Sequence, residues 1–309
     1  MNLDAGGSLN SSIALNHSMD ADMAIDRFLK RNRIENAKYV IEKLRALGLG
    51  QYSDPSRWMK MLRVLERGPI EYGHKDFYIA LEAERDFQYM GFVFEHLDSE
   101  PGDSEFSQRI RKILKDPIYP QQNLELSPGR DTQLELFLAA ICRRAELGPV
   151  VFKEPDLTCC LWNSNYGIAA KRIKNISAIR KHAKRAADQI ARSGLPGIIF
   201  LDLSLALNRE NRPALLPCCN NRYRDEAMFS LRQVVGRHES DIRRWVEGSG
   251  VLAIVAYKAD LRHHSDREWG LVGFSCWLQT TWNLESSCLW EQFAGPFLRG
   301  FPNQEFLTN

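Results

Sequence analysis

Residues Gly197–Leu203 read GIIFLDL, an almost unbroken apolar run of strand length. A strand with one wet face alternates apolar and polar side chains, because successive residues point to opposite faces of a sheet. A run without alternation has no wet face, so it predicts a central strand covered on both sides. The flanking sequence supplies the cover. Residues 176–193 place Ile176, Ile179, Ala183, Ala187 and Ile190 on one helical face and stop at Gly194, and a second helix is predicted over roughly 223–247. Two further strands are predicted at 251–257 (VLAIVAY) and 270–278 (GLVGFSCWL).

Upstream, Asp131 or Thr132 starts a helix running to Glu146, with Leu134, Leu138, Ile141 and Ala145 as its core stripe. Two β-prone runs follow: Val150–Lys153 continuing into Asp156–Trp162, and then Tyr166–Ile173, with a turn at Asn163–Asn165. The order is therefore α-β-β-β-α-β, then α-β-β, which predicts an α/β fold with a central mixed sheet flanked by helices. Nothing before about residue 120 is strand-rich. A helix over 20–47 carries Met23, Ile25, Phe28, Tyr39, Ile41, Leu44 and Leu47 and stops at Gly48 and Gly50. Further helices are predicted near 55–67, 76–97 and 104–115, separated by Gly68-Pro69 and Pro101-Gly102. The expected organisation is a disordered lead at 1–19, an α-helical region at 20–125 that begins to end in a Pro-rich linker near 117, and an α/β domain at 126–309.

Composition narrows the class. Apolar residues make up 44% and charged residues 26%, the balance of a globular chain, and a net charge of +2 does not by itself indicate nucleic acid. No apolar run approaches the roughly 18 residues of a membrane span, and no basic segment precedes an apolar block at the N-terminus, so a cytoplasmic setting is expected and no membrane partner. The seven cysteines include the pairs Cys159–Cys160 and Cys218–Cys219 but no CxxC spacing, which argues for buried reduced thiols over a zinc site. No GxGxxG, P-loop or GxSxG motif supports another kind of α/β enzyme.

Chemistry concentrates in three places: Glu135 on the first helix of the α/β region, Glu154-Pro155-Asp156 entering a strand, and Ala169-Ala170-Lys171-Arg172 on the next. Glu154 and Asp156 project from one strand face, as do Ala169 and Lys171, and a hairpin sets Asp156 and Lys171 on neighbouring strands. The run EPDLTCCLWNSNYGIAAKR, in this order of elements, resembles the PD-(D/E)xK motif of the restriction-endonuclease-like nuclease superfamily. The resemblance covers about residues 130–205, with looser support to 280, and does not reach the N-terminal third.

That resemblance implies a restriction-endonuclease-like core hydrolysing DNA phosphodiester bonds, with roles in bacterial DNA repair, restriction or phage defence. It makes Asp156 the central ligand of Mg2+ or Mn2+, Glu135 a second or outer ligand, and Lys171 the group that orients or activates the attacking water. Hard divalent cations take carboxylate oxygens, and an ammonium beside a phosphate stabilises the charge that builds there. The chain departs from the pattern at Ala169, where the family carries Glu, Asp or Gln; a methyl group ligates no metal. Two explanations stay open: Glu154 supplies the missing oxygen, or catalysis is lost and the fold binds nucleic acid or serves as an assembly partner.

Residues 171–192 hold Lys171, Arg172, Lys174, Arg180, Lys181, Lys184, Arg185 and Arg192 against the single acid Asp188. The pairs 180/184 and 181/185 repel at helical spacing, and phosphate contacts would offset that repulsion. Arg172, Lys174, Arg180, Lys181, Lys184 and Arg185 are thus expected to face nucleic acid, together with Gln189, a position where superfamily members place a polar residue near the site. The aromatic C-terminus (Trp269, Trp277, Trp282, Trp290, Phe293, Phe297) is expected to close the core, and His263–His264 to lie in a surface loop. DNA is the expected partner, a protein is expected to engage the N-terminal helices, and pairing as a homodimer stays open.

Overall fold

A computed structural model of the chain describes residues 32–49, 56–68, 70, 74–97, 104–118, 128–208, 215–216, 221–263, 269–280 and 283–302. The lead at 1–19, the start of the helix expected from residue 20, most of the linker, Cys218–Cys219, His264 and Trp282 lie outside these residues.

Helix α1 (Arg33–Ala46) starts where Asn32 caps it: the Asn32 side chain accepts from the Ile34 and Glu35 amides, and Glu35 returns a bond to the Asn32 amide. Helices α2 (Arg57–Glu66), α3 (Phe77–His96) and α4 (Ser104–Leu114) follow, and all four pack with α5 (Pro128–Arg144) on one side of the sheet. Buried charges tie them together. Arg130 is fully buried, donates to the Pro117 and Ile118 carbonyls at 2.7 and 2.6 Å, and meets Glu82 and Asp86, which also hold Arg85 and Arg57.

The sheet contains β1 (Leu157–Leu161), β2 (Ser164–Arg172), β3 (Gly197–Asp202), β4 (Leu215–Leu216), β5 (Val251–His263) and β6 (Trp269–Gln279) among the described residues. Its order is β1-β2-β3-β5-β4, with β6 on the other side of β5; β2, β3, β5 and β4 run parallel, and β1 and β6 antiparallel. The chain is therefore an α/β protein with an N-terminal helical region and a mixed sheet flanked by helices, as expected. Every residue of β3 is buried between β2 and β5, the position its apolar run demands.

Alternation along the strands sorts the two cores. Ile168, Ile198, Phe200, Val255 and Tyr257 face α1–α5 and the C-terminal helix α10 (Leu284–Arg299). Ala169, Ile199, Leu201, Ile254 and Ala256 face α6 (Ile179–Ser193), α8 (Asn221–Arg237) and α9 (Glu239–Val246), with the one-turn α7 (Ser204–Leu207) after β3. Close packing of β3 against β2 and under α6 requires Gly197, because a Cβ there would sit 2.4 Å from the Gly167 carbonyl oxygen and 2.6 Å from Ile190 Cδ1.

Five details differ from the expectations. His263 ends β5, paired with Trp269, where a surface loop is expected. Val150–Lys153 is no strand; it contributes one isolated antiparallel bridge, Val151 to Thr158, on the outer side of β1. The helix expected over 223–247 breaks at His238, whose ψ of 5° leaves the helical range, into α8 and α9. Of the C-terminal aromatics, Trp290, Phe293 and Phe297 close the core, on a helix that the sequence pattern does not announce, whereas Trp277 on β6 is 44% exposed; Asn283 caps α10, and Phe293 stacks on Tyr166 at 4.7 Å. Finally, the hairpin turns at Trp162-Asn163, both left-handed (φ 47° and 67°), which costs on the order of 1–2 kcal/mol for a bulky L-residue. No helix among the described residues is long and apolar enough to cross a membrane.

Candidate functional site

Pairing of Leu157 with Ile168 sets the hairpin register, and one step further brings Asp156 beside Ala169. The Asp156 carboxylate lies under three donors. Its Oδ2 accepts from the Ala170 amide at 2.7 Å and from Lys171 Nζ at 2.7 Å, and its Oδ1 accepts from Gln189 Nε2 at 3.0 Å. Gln189 also donates to the Pro155 carbonyl at 2.5 Å, so α6 holds the approach to β1 as well as the acid. Asp156 and Lys171 keep 15% and 16% of their side-chain surface, enough for a ligand to reach them.

Glu135 stands on α5 beside this pair. Burial raises its carboxyl above the usual range, and the like charge of Asp156 raises it further, against the pull of Arg109 and Lys171. Arg109 from α4 donates to Glu135 at 2.6 Å and lies over the Phe152 ring at 3.9 Å. Burial also raises Asp131, one turn before Glu135, while Arg172, Lys174 and Lys171 draw it down. On α6, the His182 imidazole is held below its usual value by burial and then by the charges of Lys171, Arg185, Lys181 and Lys174.

Of the expected site residues, the structure gathers Asp156, Lys171, Glu135 and Gln189. It does not bring Glu154 to them. Glu154 points away to Arg192, at 2.6 Å, in a pair whose members are 48% and 62% exposed. Among the described residues no three His, Cys, Asp or Glu side chains gather as a metal-binding group. Arg180, Lys181, Lys184 and Arg185 are exposed on α6. Arg172 is the correction: it lies one residue past Lys171 and so on the opposite sheet face, where it is 9% exposed and bonds Asp202 through Nε at 3.2 Å. Lys174 is half-buried, and burial lowers its ammonium while Asp131 raises it.

Arg109, Asp131 and His182 are additions to the sequence reading. His182 lies seven residues before Gln189, two helical turns along one face, and Asp131 four before Glu135, so both were legible from spacing. Arg109 was not, because its approach depends on how α4 docks.

No protein-family model matches the chain, and no curated protein matches it in sequence. The chemistry must therefore be read from the geometry alone. An acid and an amine in contact on adjacent strands, with a second acid of raised pKa beside them and an exposed basic helix alongside, form a site suited to an anionic substrate carrying a cation.

Proposed function

We propose that the chain is a metal-dependent nuclease-like protein with a restriction-endonuclease-like core that acts on DNA. The observation that carries this reading is the contact of Asp156 with Lys171 across the β1–β2 hairpin, both on the face served by Gln189. The hairpin, the α6 crossover and the parallel strand β3 support it by their order.

The donor set fits one kind of metal site. Glu135 and Asp156 repel each other electrostatically, the condition in which two carboxylates gain from a cation between them. Mg2+ is held by one or two carboxylates, with water and substrate phosphate completing its shell. An all-protein cage does not fit, since Ala169 offers a methyl group and Glu154 is engaged by Arg192. When bound, such an ion lowers the pKa of a water and neutralises charge on the phosphate. The chain's own groups do the rest: Gln189 and the Ala170 amide orient Asp156, Lys171 presents an ammonium to the phosphate, and the exposed α6 cations hold the backbone on either side.

A second reading has its own support. With Ala169 opposite Asp156 and Lys171 directly on its Oδ2, the acid is already satisfied, as in a fold that binds nucleic acid without cutting it. Incubation of the full chain with plasmid and linear DNA in Mg2+ or Mn2+ separates the two. Cleavage that Asp156→Ala and Lys171→Ala each abolish supports the nuclease. DNA binding without cleavage in either metal supports the second reading, and absence of DNA binding removes both.

A further inference from the structure

Leu157, Cys159 and Leu161 of β1 point into the core on the α5 side, which sends Asp156, Thr158 and Cys160 to the α6 side. Trp162 follows Leu161 in the turn and stands at the tip of the hairpin, 73% exposed. The turn it occupies has two residues, closed by the pairing of Leu161 with Ser164. Both turn residues are left-handed, at φ 47° and 67°. Such turns favour Asn and Gly, which adopt positive φ readily. Asn163 obeys that preference and Trp162 violates it. The indole thus strains the turn and gains no core burial in return. Folding offers no account of this side chain; contact with something outside the chain does.

Its position indicates what. From Asp156 to Trp162 is six residues of nearly extended chain, about 20 Å at strand rise. Helix α6 begins beyond the carboxyl end of β2 and returns alongside it, reaching Asp156 through Gln189. Exposed Arg180, Lys181, Lys184 and Arg185 therefore lie past one end of the Asp156–Lys171 pair, and Trp162 marks the opposite end. A polymer held by its phosphates on the basic helix and passing over the pair reaches the indole next. Every nucleobase has a π-face that stacks on an aromatic ring, but a base paired inside a duplex has both faces covered.

We propose that Trp162 is a stacking platform for an unpaired nucleobase, and that the substrate is nucleic acid with a single-stranded segment about 20 Å from the Asp156–Lys171 pair. The proposal rests on the nuclease-like reading and names its substrate class. The test measures binding of the full chain to a single-stranded oligonucleotide, a blunt duplex and a duplex with a single-stranded overhang, by fluorescence anisotropy in EDTA. Trp162→Ala is expected to weaken the first and third about 5- to 150-fold, the range of one base–aromatic stack, with the blunt duplex unchanged. Trp162→Phe restores most of the loss. Thermal unfolding serves as the control: Trp162→Ala melts no lower than wild type, so lost binding is not lost fold. Unchanged overhang binding in Trp162→Ala, or an equal loss on all three DNAs, overturns the proposal. If a Lys184→Glu/Arg185→Glu variant loses DNA binding while Trp162→Ala does not, the stacking platform alone fails. If wild type binds none of the three, the nuclease-like reading fails with it.

Discussion

Replacing Asp156 with Asn, Lys171 with Met, and both together asks whether the acid–amine pair exists as a coupled unit. The carboxylate takes three hydrogen bonds, at 2.7, 2.7 and 3.0 Å. Asn keeps the shape but has one acceptor oxygen, and its amide nitrogen meets a donor head-on whichever way it turns. About two charge-assisted bonds are lost, nominally 1.5–3 kcal/mol each. Both side chains retain 15–16% of their surface, so water rehydrates the freed ammonium and trims that sum. The expected loss for Asp156→Asn is about 2–4 kcal/mol. Lys171→Met leaves Asp156 its Ala170 and Gln189 donors and adds an apolar chain facing the core under α6, so about 1–2 kcal/mol is expected. The double variant should lose about 1–2 kcal/mol less than the sum of the singles, because each single already breaks the shared bond. Urea unfolding at pH 7.5, read from midpoints at constant slope, measures all four corners of the cycle. Additivity within about 0.5 kcal/mol would refute the pair, and with it the geometry on which the proposed chemistry stands.

Three further outcomes are expected. Ala169→Glu sets a carboxylate beside Asp156; it should lower stability by about 1–3 kcal/mol, because Ala169 is fully buried under α6, and raise Mg2+-dependent cleavage, and a folded variant with unchanged cleavage counts against a scaffold short of one ligand. Glu135→Gln should stabilise the chain at neutral pH: the native carboxyl is raised by burial and by Asp156, so its contribution is most favourable below the ordinary glutamate value of about 4.3 and is lost as pH rises through the folded value. The melting-temperature gain of the Gln variant should accordingly be largest above that folded value and vanish toward pH 4, and a gain that grows on acidification would contradict the assignment. Glu154→Ala should change stability by less than about 0.5 kcal/mol, since its ion pair with Arg192 is half exposed, and should leave cleavage untouched; a large loss of cleavage would restore Glu154 as a ligand.

Particular residues show what could be read in advance. The run from Gly197 to Leu203 announced a strand without a wet face, and β3 is that strand. Alternation on two consecutive β-runs put Asp156 and Lys171 on neighbouring strands, and they are in contact. The helical stripe of residues 176–193 made α6 cover the sheet, with its cations left outside. The same rule, applied one residue further, would have removed Arg172 from the basic surface, because a strand position next to Lys171 faces the other way. Counting charges along the chain hid that distinction.

Periodicity and residue type are local properties, so the sequence by itself determined most of the element types, the buried strand and the shared sheet face of the acid and the amine. The turn of Glu154 toward Arg192, the reach of Arg109 from α4 to Glu135, the burial of Arg172 against Asp202, and the lowering of His182 were decided only by tertiary structure. Each depends on how elements distant in the chain dock, and on the loss of water that docking imposes on a charge, which no local pattern encodes.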